Sequence, residues 1–153
     1  MGHYIANLRD IEFCLFDLLQ RDEILGKSIY KDLDRQTIMG MLDEVKRMAE
    51  NDLAASFVDG DQIAVKFDPA TGDAKLPESF KKSYKTFMDN EWWRIDAPVE
   101  LGGTAIPQSV RWAIAEMVLG SNPAIHIYAS GTAFAHVAHV FGTPEQKKIA
   151  KLM

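Results

Sequence analysis

The stretch Met117-Val118-Leu119-Gly120-Ser121-Asn122-Pro123-Ala124-Ile125-His126-Ile127-Tyr128-Ala129-Ser130-Gly131-Thr132-Ala133-Phe134-Ala135-His136-Val137-Ala138-His139-Val140-Phe141-Gly142-Thr143-Pro144 contains no Asp, Glu, Lys or Arg. It is longer than the ~20 apolar residues that cross a bilayer. Three features argue against a span. Gly120-Ser121-Asn122-Pro123 breaks it near one end, three histidines lie inside it, and its bulk is Ala, Gly, Ser and Thr rather than Leu and Phe. The alternative is two helices meeting at a turn, with Asn122 and Pro123 opening the second, which reaches about Val140 and is buried on most sides.

The neighbouring segments have the periodicity of helices. Upstream, Pro107 starts a helix in which Val110, Ile114, Met117 and Val118 face inward. Downstream, Thr143 and Gln146 have capping-box spacing, with Pro144 at the first helical position and Lys147 and Lys148 in later turns. Nothing after Lys148 terminates that helix, so the chain reads as cut in mid-element. Asp34 is a cap for the clearest amphipathic helix of the first half, where Ile38, Leu42, Val45, Met48, Ala49 and Leu53 recur through about Ala55. Its opposite face carries Asp43, Glu44, Lys46, Arg47 and Glu50, a solvated surface. Asn7 to Leu19 is a further helix, with Leu8, Ile11, Cys14 or Leu15, Leu18 and Leu19 on one side, and Arg21 to Leu33 is a connection. Pro77 opens another helix with a Phe80, Tyr84, Phe87 and Met88 stripe. Phe57 to Leu76 reads as a long irregular loop with at most a little strand around Ile63 to Phe67, so the fold class is mainly α.

Composition narrows the function. The 153 residues are 47% hydrophobic and 25% charged, with ten Gly and six Pro, which describes one globular domain and excludes disordered and collagenous classes. Lys and Arg number 17 against 22 Asp and Glu, a net charge of -5, so no basic surface exists for nucleic acid. The lone Cys14 makes no internal disulfide and the N-terminus has no signal-peptide pattern, which fits a cytoplasmic protein.

Candidate chemistry is sparse. His136 and His139 share a helix face at a spacing open to metal, but no cysteine or carboxylate on that helix completes a ligand set. His126 sits among apolar neighbours, as an interior hydrogen-bonded histidine does. Gly102-Gly103 lacks both the Lys-Ser/Thr ending and the preceding strand of a phosphate loop. Trp92, Trp93 and Trp112 suit core or interface packing better than base stacking. What stands out is the run of small residues Ala124, Ala129, Ser130, Gly131, Thr132, Ala133, Ala135 and Ala138. Such a run either lets another backbone approach closely or leaves room for an elongated apolar ligand.

Pro98-Val99-Glu100-Leu101-Gly102-Gly103, a helix containing Glu116, the small-residue helix and Phe141-Gly142-Thr143-Pro144-Glu145-Gln146-Lys147 follow one another in an order and spacing that resemble the N-terminal helical domain of acyl-CoA dehydrogenases. The resemblance covers Asp34 to Met153. Residues 1–33, with Asn7-Leu8-Arg9-Asp10-Ile11-Glu12-Phe13, are similar to the N-terminal extension of a long-chain subgroup, which divides the chain into 1–33 and 34–153. The resemblance implies a helical up-and-down bundle and, for the parent enzyme, FAD-dependent α,β-dehydrogenation of acyl-CoA thioesters in fatty acid β-oxidation, with electrons passing to an electron-transfer flavoprotein. It implies no catalytic residue in this chain, no flavin bound to this part alone, and a homo-oligomer. By position it implies acyl-chain contacts at Ile125, Ala129, Thr132 and Ala133. An acyl-CoA oxidase-like relative and a free-standing helical interaction module are the competing readings.

Overall fold

The computed structural model describes residues 2–152. It is mainly α. Helix α1 (Leu8–Glu12) runs on as a π-helical turn (Phe13–Leu18), and two 3₁₀ turns (Arg21–Glu23, Ser28–Tyr30) lead to α2 (Arg35–Met48). Helix α2 continues through a π-helical turn (Ala49–Leu53) and a 3₁₀ turn (Ala54–Ser56) into α3 (Phe57–Gln62). A two-stranded antiparallel hairpin follows, β1 (Lys66–Asp68) and β2 (Asp73–Lys75), with Phe67 opposite Ala74. Then come α4 (Glu78–Asp89), α5 (Gln108–Ser121), α6 (Pro123–Tyr128), α7 (Gly131–Phe141) and α8 (Pro144–Ala150).

The core forms around α2. Its apolar stripe of Ile38, Leu42, Val45 and Met48 is completely buried, and it meets Val110, Ile114, Met117 and Val118 of α5. Ile11 and Leu15 of α1 close one side, Phe80 and Phe87 of α4 another, and Ile125 of α6 joins the same cluster. The start of α2 is fixed by Asp34, whose side chain accepts from the Thr37 amide at 2.7 Å; that bond holds the Asp34 carboxyl below its usual range. The expected capping box on α8 is complete: Gln146 N–H donates to Thr143 Oγ1, and Thr143 N–H donates to Gln146 Oε1 at 2.8 Å.

Asn122 does not cap α6 through its side chain. It is buried, and its Nδ2 donates to the Leu53 carbonyl at 3.2 Å and to Ser56 Oγ at 3.0 Å. One amide thereby joins the α5–α6 corner to the end of the α2 rod.

Residues 2–7 form a strap across the same region. His3 stacks on Phe57 with ring centroids 4.2 Å apart, and the Ala6 amide donates to Glu50 Oε1 at 2.9 Å. The Tyr4 ring lies against Gly120, where any Cβ would collide with it. Burial, with Glu116 and then Glu50 nearby, raises the Tyr4 hydroxyl above its ordinary pKa. Glu50 therefore serves the strap, where the sequence suggested only a solvated surface.

Four expectations need correction. Leu18 and Leu19 are exposed, because the π-helical turn inserts an extra residue per turn and rotates the following side chains off the α1 stripe. Residues 57–62 of the expected irregular loop are helical; Ser79 Oγ donates to Asp59 Oδ2 at 2.7 Å and Gly60 faces the Phe80 ring, so the start of α4 supports them. The helix opened by Pro123 does not run unbroken to Val140. It stops at Tyr128, where Ser130 Oγ bonds the Ile127 carbonyl at 2.7 Å and Gly131 lowers helix propensity. Nor is the second part buried on most sides: Phe134 is 64% and Phe141 82% exposed, because the large residues of α7 face away from the core. No helix among the described residues is long and apolar enough to cross a membrane.

Candidate functional site

The small residues of the 123–141 segment do have a direction. On α7 the inward face carries Thr132 and Ala135, both buried, while Phe134, Val137 and Phe141 point outward with Ile149 of α8. Small side chains toward the body and large ones away reverse the usual amphipathic order of a surface helix. They leave two clefts where α7 meets the segment between α4 and α5.

The first cleft, about 290 Å³, is lined by Met88, Trp93, Ala97, Leu101, Thr132 and Ala135, with Ala150, Lys151 and Leu152 completing it. Its side chains are mostly apolar, with Thr132, Lys151 and the Trp93 indole as the polar members. The second, about 380 Å³, contains Ala133 and His136 of α7 together with Asp96, Ala97, Gln108 and Arg111, and Ile29 and Tyr30 from the N-terminal segment form part of its wall. Ala97 lines both clefts. In the second, Arg111 Nε donates to Asp96 Oδ1, and both side chains of this ion pair are mostly buried. The guanidinium also sits 4.7 Å from the centroid of the Trp112 ring. A pair so enclosed neutralises its own charges and fixes the 92–96 turn to α5.

The loop that supplies Ala97 and Leu101 is the Pro98–Gly103 motif. Val99–Leu101 form a 3₁₀ turn, Gly102 has φ +87°, and the Gly103 amide donates to the Pro98 carbonyl at 2.9 Å. A Cβ on Gly103 would overlap the Ala97 carbonyl, so glycine is required where the loop closes on itself.

The four residues with expected acyl-chain contacts are thus split. Thr132 and Ala133 line the two adjoining clefts. Ala129 packs half-buried against the core, and Ile125 is completely buried within it and lines neither cleft. The sequence did not single out Met88, Trp93 and Ala97 as lining residues, because they come from other segments and only the tertiary fold gathers them. Leu101 lay in a motif whose role was not legible.

Other candidates disperse. His126 and His139 are half-buried and His136 is exposed; among the described residues no three His, Cys, Asp or Glu side chains converge on a possible metal position. Trp92 and Trp93 pack against the core, whereas Trp112 is exposed. Gly102–Gly103 joins two helical segments, and the element directly before it is a 3₁₀ turn rather than a strand.

Comparison with known proteins gives these clefts a context. The chain is 45% identical over 152 residues to the broad-specificity linear acyl-CoA dehydrogenase FadE5 of Mycobacterium tuberculosis, a match taking in 99% of this chain and 25% of that protein. It is 29% identical over 115 residues to the 3-methylmercaptopropionyl-CoA dehydrogenase of Ruegeria pomeroyi, covering 75% of this chain and 19% of that protein. The chain therefore spans a quarter or less of the length of these relatives. No family model matches it. The chain's homologues are thus acyl-CoA dehydrogenases, to part of which it is similar along almost its whole length, and its mainly helical fold is consistent with their N-terminal helical domain.

Proposed function

We propose that this chain is the N-terminal helical part of an FAD-dependent acyl-CoA dehydrogenase that oxidises linear acyl-CoA thioesters in fatty acid β-oxidation, and that it supplies acyl-chain pocket and interdomain packing. Residues 1–33 are the extension and 34–153 the helical domain in this reading. The observation that carries it is the 45% identity to a linear acyl-CoA dehydrogenase along 99% of the chain. In such an enzyme FAD, when bound, accepts hydride from the acyl β carbon. The Gly102–Gly103 turn is directly preceded by a 3₁₀ turn and makes no phosphate loop, Trp92 packs against the core, and Trp93 lines the apolar cleft. The flavin contacts and the carboxylate that removes the α proton belong to other parts of the enzyme. Electron-transfer flavoprotein as acceptor, a cytoplasmic location and assembly into a homo-oligomer complete the proposal.

What this chain's residues do is bind and exclude water. An acyl chain lying in the apolar cleft between Trp93, Leu101 and the inner face of α7 would be desolvated along its length, which favours binding by roughly 0.8 kcal/mol per buried methylene. Thr132 and Ala133 mark the two sides of this path, and Ala129 and Ile125 hold the α6–α7 corner behind it.

The enzyme carrying this chain, purified in full, is expected to show a flavin absorption band that bleaches on anaerobic addition of a linear acyl-CoA. A protein with no such band, even after incubation with FAD, would overturn the assignment. A second prediction concerns chain length. Ala133→Phe places a ring in the cleft that adjoins the apolar one, and it is expected to lower the ratio of kcat/KM for long over short acyl-CoAs about tenfold. An unaltered ratio would remove Ala133 from the acyl path.

A further inference from the structure

The chain between α4 and α5 carries one wall of the apolar cleft, yet its own bonds do little to place it. Glu91 opens it at φ +57°, in the left-handed region that strains a residue with a side chain, and Gly102 closes it at φ +87°. Between them the 3₁₀ turns Trp92–Ile95 and Val99–Leu101 bond within the segment, and the Thr104 amide donates back to the Arg94 carbonyl at 2.9 Å. A segment bonded chiefly to itself takes its position from whatever ties it to the core. Among the described residues, the hydrogen bond that carries it to α5 is the one from Arg111 Nε to Asp96 Oδ1.

Both partners are enclosed, with side chains 16% and 15% exposed. Arg111 follows Val110, which is completely buried in the core, and its guanidinium lies against the Trp112 ring, so the donor is held on two sides. Asp96 stands between Trp93 and Ala97 in the sequence, and both of these line the apolar cleft together with Thr132 and Ala135 of α7. An enclosed ion pair is weak evidence for stability, because apolar side chains of similar volume often hold a fold as well. What it supplies here is a fixed separation between the segment and α5. We propose that Asp96 and Arg111 are positioning residues for acyl-chain length: by setting where Trp93 and Ala97 stand, the pair sets the width of the cleft and how well a long chain is enclosed. This rests on the acyl-CoA reading above and names a determinant of its specificity.

The test uses the full flavin-loaded enzyme with one short and one long saturated acyl-CoA. In the double variant Asp96→Leu with Arg111→Met, which removes both enclosed charges together, KM for the long substrate is expected to rise about tenfold relative to the short one, with kcat for the two changing alike. Asp96→Asn, whose side-chain oxygen still accepts from Arg111 Nε, should return most of the preference. A purely structural pair would lower the melting temperature and the activity on both substrates by one factor, leaving the ratio as it was. An unchanged ratio in the folded double variant, a double variant that does not fold, or an Asp96→Asn enzyme as altered as the double overturns the inference. Turnover of both acyl-CoAs by the unmodified enzyme then leaves the dehydrogenase reading standing, whereas no turnover of either overturns both.

Discussion

Leu42→Ala is expected to destabilise the protein by about 3 kcal/mol, within the range for large-to-small changes in a closed core. Leu42 is completely buried in the middle of the α2 stripe, facing α5, with α1 and α4 filling the remaining sides of the cluster. The surroundings are held by four helices, so the space cannot collapse easily and the cavity term adds to the lost transfer energy. Urea unfolding followed by far-ultraviolet circular dichroism reads the change directly. A loss below about 1 kcal/mol would mean that α2 is not the centre of the fold.

Asn122→Leu is expected to cost about 2 kcal/mol, although leucine is apolar and similar in size. The amide Nδ2 is the donor to both the Leu53 carbonyl and Ser56 Oγ, and all three residues are buried. Ser56 also reaches the Leu53 carbonyl, but at 3.4 Å, so the substitution leaves that oxygen with a long bond in place of a shared one. The same denaturation experiment measures the loss. Asn122→Asp sharpens it: a carboxylate cannot donate to a carbonyl, and it would add a buried charge to the missing bond. If Asn122→Leu were neutral, the corner between α5 and α6 would be held by packing alone.

The parts of this fold that were legible in the sequence depend on interactions a few residues apart. Asp34 with Thr37 and Thr143 with Gln146 satisfy helix ends over three positions, and both bonds form as their spacing indicates. The stripe Val110, Ile114, Met117 and Val118 needs only a helical period and is buried throughout. The errors share a different cause. Leu18 and Leu19 were assigned by a constant 3.6-residue period that the π-helical turn breaks. The exposure of Phe134 and Phe141 depends on what stands opposite α7, which an apolar sequence does not specify. The clefts were least legible, since Trp93, Ala97 and Thr132 are brought together by a fold spanning several helices. The small-residue run pointed to the right helix but not to the direction in which its small face turns.

The strap of residues 2–7 bears on the order of folding. Tyr4 meets Gly120 and Ala6 meets Glu50, contacts between segments far apart in the chain. The loop they close is entropically costly until α2 and α5 have already paired, so docking of the strap belongs after the rate-limiting step. Side chains whose contacts form that late chiefly govern how fast the native protein opens. On that order, Tyr4→Ala is expected to speed unfolding while leaving the folding rate nearly unchanged, which stopped-flow refolding and unfolding would read.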